Sequence, residues 1–211
     1  MKLKDFDINQ KTYNKISNNI KMLCKPYLTQ INNDIKAYPL FRGLDTFQDL
    51  VVTLPGYRND RYPKDTPIHL HDAINRVFKT RFGVPFRNGT FATGNLHEAD
   101  TYGPLYVVIP IGEFKFIWST QIVDLYDYLG RKANDIANNF FSLKRADPKT
   151  MGIMLQYVTS SEFINLYQDT NLKQAIRSDH EVMLYCEQCY YIKMQIYEEI
   201  SDTWDKSDLS I

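Results

Sequence analysis

The chain carries no excess charge: 25 Lys and Arg residues balance 25 Asp and Glu. No global field draws it to nucleic acid or to an anionic membrane, so such a partner needs a local patch. Cysteine is scarce. Cys24, Cys186 and Cys189 are an odd number in a 211-residue chain long enough to build a core without staples. That excludes a disulfide scaffold and fits a reducing, cytoplasmic setting. There is no apolar run of the length a membrane span needs, and the N-terminal "MKLKDFDINQ" lacks the apolar centre of a signal peptide. Repeats, low-complexity tracts and composition breaks are absent, which leaves one domain over residues 1–211. No glycine-rich loop of the P-loop or dinucleotide-binding type occurs. Metal ligands are few: His69 and His71 fall on different sides of a helix, and Cys186-x-x-Cys189 has no second pair. No metal is expected.

What is present is an ordinary globular composition, 44% hydrophobic and 24% charged, rich in Tyr and Phe (15 and 12). Apolar residues recur every three or four positions from Asp7 to about Ile35. That predicts a helical N-terminal segment over 1–36, broken in two at Pro26. "YPLFRGL" (Tyr38–Leu44) reads as a short strand. "PGYRNDRYPKDTP" is a loop, and its "RNDRYPK" (Arg58–Lys64) is a basic stretch able to meet an anionic acceptor. Asp65 or Thr66 can cap a following helix that Gly83 stops. "NGTFATG" (Asn88–Gly94) is β-like, and "LYVVIPIGEFKFIWS" (Leu105–Ser119) is the strongest β signal, two apolar runs around Pro110 and Gly112. A helical middle from Ile122 to Phe141 follows, within a helical insertion over 120–150. "NLKQAIRSDH" is a short helix. "EVMLYC" and "CYYIKMQIY" then read as two strands, with a turn at Glu187 and Gln188.

Three separated pieces stand in an informative order: "PLFRGL" with Arg42, "FATG" with Thr93 (followed by Ala99 and Tyr102), and "DHEVML" with Glu181. An arginine and a glycine on a strand, a hydroxyl residue on a strand, and a Glu opening a core strand together resemble the ADP-ribosyltransferase family, in its Arg–Ser–Glu branch. Members carry a Tyr/Phe-Arg-Gly strand, an aromatic-Ser-Thr-Ser strand and a Glu-x-Glu-Val/Ile-Leu-Leu strand. Arg42 matches the first, Thr93 is the candidate in the second, Glu181 matches the catalytic Glu, and Asp179 takes the place two before it. The matches run from Tyr38 to about Ile196. The chain departs from the pattern in lacking Ser-Thr-Ser, in carrying Asp179 for Glu or Gln, and in the length between Thr93 and Glu181.

The resemblance implies an α+β fold, a split β-sandwich of two small, mostly antiparallel sheets with a cleft between them. It implies transfer of ADP-ribose from NAD to a macromolecule, protein or nucleic acid, with release of nicotinamide. Small enzymes of this kind are often toxins, phage effectors or defence factors, and a partner protein can restrain them. The implied roles are chemically coherent. Glu181 stabilises the positive charge that develops on the ribose as nicotinamide leaves. Arg42 offers a planar fork to phosphate or ribose oxygens, and Thr93 orients the carboxylate. Tyr102 stacks on nicotinamide, and Asp179 positions the acceptor or takes its proton. Gly43 and Phe91 complete the NAD-binding set. Two other readings stay open: a non-catalytic binding or assembly module, such as a virus-assembly protein, and an NAD glycohydrolase using the same site.

Overall fold

The computed structural model describes residues 10–44, 50–63, 65–136, 143, 146–202 and 204. Ile8, Lys64, the end of the expected middle helix (137–141) and most of the C-terminal tail lie outside the described residues. The fold is α+β, with helices packed on both faces of a six-stranded sheet.

Helices α1 (Gln10–Leu23) and α2 (Lys25–Gln30) form the N-terminal segment. They divide where Pro26 enters the first turn of α2, a position that needs no amide hydrogen. Strand β1 (Phe41–Gly43) is short, and β2 (Val51–Pro55) follows. Helix α3 (Ile68–Phe82) ends at Gly83, whose φ of 87° is left-handed and whose N–H bonds the Lys79 carbonyl. Its start differs from expectation. Pro67 stands at the cap position without a side-chain bond, and the Thr66 hydroxyl instead accepts a hydrogen bond from Arg87. A 3-10 turn at Phe86–Asn88 leads to β3 (Thr90–Thr93), and α4 (Leu96–Asp100) is capped by Asn95.

Strand β4 (Leu105–Ser119) is continuous through Pro110. Proline is tolerated because β1 pairs only with Leu105–Val107 and β6 alone is paired opposite Pro110. The glycine works as a bulge: between Ile111 and Phe114, β4 carries one residue more than β6, and Gly112 takes φ 68°. Helices α5 (Leu125–Ile136), α6 (Pro148–Val158) and α7 (Ser161–Ile164) come next, then β5 (Tyr167–Gln168) and α8 (Leu172–Arg177).

The last strand corrects the sequence reading. β6 (Glu181–Lys193) is one strand, and "MQIYEEISD" forms helix α9 (Met194–Asp202). Glu187 and Gln188 are exposed residues within the strand, beside the β4 bulge, and turn nothing. Cys186 and Cys189 therefore lie along one strand with their sulfurs 3.2 Å apart as free thiols. Pairing also differs from two separate sheets. The order is β2-β6-β3-β1-β4-β5, with β6 paired to β4 as well. The links β1–β3, β3–β6, β6–β4 and β4–β1 close a ring, so one hydrogen-bonded sheet curls on itself.

Alternation along β6 sends Val182, Leu184 and Cys186 into a core shared with α1, α2 and α9, around Ile20, Leu28 and Ile200. Met183 and Tyr185 face a second core built on α3, α5, α6 and α7, around Phe78, Leu129 and Phe163. Glu181 shares the phase of Met183, at the end of the strand and the rim of that second core.

Candidate active site

Strands β1, β3 and β6 bring the sequence candidates together. Phe41 lies opposite Thr93, and Thr93 lies opposite Glu181. Opposed residues on antiparallel strands project to the same face, so Thr93 and Glu181 are side-by-side neighbours. Arg42, next to Phe41, donates from Nη1 to the Phe91 carbonyl at 3.1 Å, which ties its guanidinium to β3.

Glycines make this closeness possible. A Cβ on Gly43 would meet the Ala99 carbonyl oxygen at 2.3 Å and the Gly103 nitrogen at 2.8 Å. The α4 turn that carries Tyr102 can thus sit directly on β1. A Cβ on Gly94 would lie 1.7 Å from the Ile176 oxygen, so the end of β3 packs against α8, the helix leading into Glu181.

Thr93 departs from its expected role. Its hydroxyl donates to the Asp179 carbonyl at 2.8 Å and accepts from the Asn95 N–H at 3.1 Å. Its proton is committed to the turn before Glu181, so it holds the carboxylate's backbone and does not bond to the carboxylate. Asp179 takes φ 61° in that turn, and its side chain is exposed. Phe91 also differs. Its ring lies under the Arg61 guanidinium, 4.1 Å from centroid to Cζ, with Arg87 at 5.8 Å, so arginines cover it. Tyr102 is 63% exposed at the rim.

Arg61, Arg87, Asp124 and Tyr167 complete the site. Arg87 is buried, and its partners are neutral: Nε donates to His71 Nδ1 at 3.2 Å and Nη2 to Thr66 Oγ1 at 3.1 Å. Acceptance at Nδ1 places the imidazole proton on Nε2, which donates to Asn88 Oδ1 at 3.3 Å. Burial and the Arg87 charge hold His71 below the usual histidine range, so it stays neutral. Asn75 supports the same cluster by accepting the Arg87 backbone N–H at 2.9 Å. Arg61 donates to the Gly89 carbonyl. Burial, then the charges of Arg42, Arg87 and Arg58, push its guanidinium down to about 9, and it remains protonated at neutral pH. Among the described residues, none of these four arginines forms an ion pair.

Glu181 lies within the field of this cluster. Desolvation, then the Asp124 charge, push its carboxyl up to about 8, against the opposing pull of Arg87, Arg61 and Arg42. Its own N–H donates to the Val123 carbonyl at 2.8 Å, which pins the start of α5 beside it. Burial, then Asp124, Glu98, Asp127 and Glu181, raise the Tyr102 phenol to about 12. Tyr167 is raised well above its ordinary value by burial and then by Glu181. Its hydroxyl is the one buried side-chain polar atom without a partner among the described residues. A buried orphan hydroxyl beside unpaired guanidiniums marks a place where a polar ligand would be satisfied.

Chemically, the arrangement offers three buried or half-buried guanidiniums to an anion, and one desolvated carboxylate to a developing cation. Among the described residues, no group of three or more His, Cys, Asp or Glu side chains is arranged to hold a metal ion. Arg61 was legible only as part of a basic loop. Arg87, Asp124 and Tyr167 carry no sequence signal, because single residues on separate elements meet only through the fold. Comparison of the chain with family models, curated proteins and solved structures finds no match.

Proposed function

We propose that the protein transfers ADP-ribose from NAD to a macromolecular acceptor, protein or nucleic acid, and releases nicotinamide. The observation that carries this reading is the adjacency of three strands, with the Arg42 guanidinium bonded to the Phe91 carbonyl of β3. Arg42, Thr93 and Glu181 stand in the family's order on β1, β3 and β6, with Phe41 opposite Thr93 and Thr93 opposite Glu181. The finer architecture in this reading is the family's split β-sandwich, here curled into one hydrogen-bonded sheet.

In this reading the diphosphate of NAD lies against Arg42, Arg61 and Arg87, none of which forms an ion pair among the described residues. A guanidinium suits phosphate oxygens in geometry and charge. The ribose lies beside Glu181. As the bond from C1′ to the nicotinamide nitrogen breaks, its electron pair leaves with nicotinamide and positive charge grows on the ribose. The Glu181 carboxylate stabilises that charge, strongly because water is displaced around it. Tyr102 offers an exposed ring for the nicotinamide to stack on. Thr93 keeps Glu181 in place through the Asp179 turn. In the free protein Glu181, raised to about 8, keeps its proton near neutral pH, and the cationic nicotinamide ring of NAD favours its loss. The buried free thiols suit a cytoplasmic effector or toxin.

The test is incubation with NAD labelled in its ADP-ribose part and a cell lysate, beside Glu181→Gln. Label on a macromolecule is expected with wild type, and at least about 100-fold less with the variant, the scale of removing one preorganised electrostatic group. Protease and nuclease treatments then separate a protein from a nucleic-acid acceptor. No label and no nicotinamide from folded wild-type protein would favour the binding-module reading.

A further inference from the structure

The acceptor must lose a proton as it replaces nicotinamide, and the family-like place for a base is Asp179. The structure ties a different carboxylate to the start of β6. The segment before α5 is tied to the first residue of β6 by the bond from Glu181 N–H to Val123 O, at 2.8 Å. The next residue, Asp124, is half-buried at the start of α5. Its Oδ1 accepts the Asp127 N–H at 2.8 Å, and its carbonyl accepts the Tyr128 N–H at 3.0 Å. These bonds fix the side chain. A carboxylate in this position faces the positive end of the helix dipole. One carboxylate oxygen, Oδ2, is left with no hydrogen-bond partner described.

Asp179, by contrast, is exposed, in a left-handed turn whose carbonyl serves Thr93. Asp124 is the carboxylate whose charge acts most strongly on Glu181, and it also raises the phenols of Tyr102 and Tyr167. The groups facing Glu181 from every packed element are therefore Asp124 before α5, Arg42 on β1, Arg61 in the β2–α3 loop, Arg87 before β3, Tyr102 after α4 and Tyr167 on β5.

We propose that Asp124 is a second catalytic carboxylate of this site, which takes the proton of the acceptor's hydroxyl or nitrogen nucleophile as that atom bonds to C1′. The inference rests on the ADP-ribosyl-transfer reading. The step balances: the nucleophile's lone pair forms the new bond to C1′, its proton passes to the Asp124 carboxylate, and the electron pair of the broken bond departs with neutral nicotinamide. Two carboxylates in one site then have separate tasks. Glu181 faces the developing cation, and Asp124 serves the incoming nucleophile.

The test uses full-length protein with labelled NAD and lysate, and reads macromolecular label and free nicotinamide separately. Asn caps a helix about as well as Asp, so Asp124→Asn removes the charge and keeps the cap. Label transfer is expected to fall about 100-fold or more, the scale of a positioned general base, and much further than nicotinamide release. The pH midpoint of nicotinamide release is expected to move to lower pH, because the like charge that raises Glu181 is gone, which checks the placement of Asp124; the loss of transfer beyond the loss of nicotinamide release is what a merely structural cap would not produce. If Asp124→Asn does not fold, Asp124→Ser, another good cap, carries the same two readouts. Wild-type transfer by the variant, an unmoved midpoint, or loss of transfer on Asp179→Asn but not on Asp124→Asn would each overturn the assignment. Wild-type protein that releases no nicotinamide would instead overturn the underlying reading.

Discussion

The two faces of β6 lie on one strand and answer to different demands. Val182, Leu184 and Cys186 enter a core in which Trp118 is buried with its indole N–H satisfied by the Thr170 carbonyl at 2.8 Å. Glu181, Met183 and Tyr185 face the other way, toward a core whose rim holds a buried arginine, an unpartnered tyrosine hydroxyl and a carboxyl that resists ionisation. The first face is buried in an apolar cluster. The second breaks several packing rules where the candidate site lies, the pattern expected of a functional site carried by a stable scaffold.

Substitutions should separate the faces. The largest effect on stability is expected at the first. Trp118→Ala should cost about 3–5 kcal/mol in denaturant unfolding, from lost burial and the cavity left behind. Gly94→Ala joins the two regions. Its Cβ would overlap the Ile176 oxygen, so about 1–3 kcal/mol of stability should be lost, with activity falling as the Glu181 turn moves. At the second face, Arg61→Met should weaken NAD binding by about tenfold, the scale of one charge-assisted hydrogen bond, with little loss in unfolding free energy. The same change should move the pH midpoint of Glu181 upward, because a positive charge that favours the carboxylate is removed. A midpoint that falls would contradict the placement of Arg61.

One effect has the opposite sign to most. The folded-state pKa of Glu181 is raised, from an ordinary 4.5 to about 8. Above pH 4.5 the unfolded chain sheds this proton more readily than the folded one, so the group's contribution to stability declines as pH rises from about 4.5 to about 8. Glu181→Gln removes that cost. It should raise thermal stability at pH 8 and change it little at pH 4.

Several elements were legible because a local rule and the fold agree. Pro26 splits the N-terminal helices, Gly83 ends α3, and the apolar runs of β1 and β3 stand where pattern puts them. The C-terminal strand was not, because "CYYIKMQIYEEI" satisfies two periods. Tyr190, Ile192, Met194 and Ile196 alternate as a strand, while Ile196, Tyr197 and Ile200 also share a helical face, and packing against α1 makes the helix from Met194 onward. The reading of Leu105–Ser119 as two apolar runs around Pro110 and Gly112 did not show that they form one strand, because nothing local reveals that only one side of Pro110 is paired. For the site, motif order carried Arg42, Thr93 and Glu181. It could not carry Arg87, whose partners lie in α3 and the loop before it, or Asp124, whose neighbour Val123 is bonded to the start of β6.

The most direct measurement is nicotinamide release from NAD by the purified protein between about pH 6 and 10, beside Glu181→Gln. If a desolvated Glu181 stabilises the ribose cation, kcat/KM for wild type should rise with pH through a midpoint near 8, the value set for the free protein by burial and Asp124. The variant should stay at least about 100-fold lower across the range. Equal release by the folded variant, or none by either protein, would contradict the assignment of this strand end as an active site.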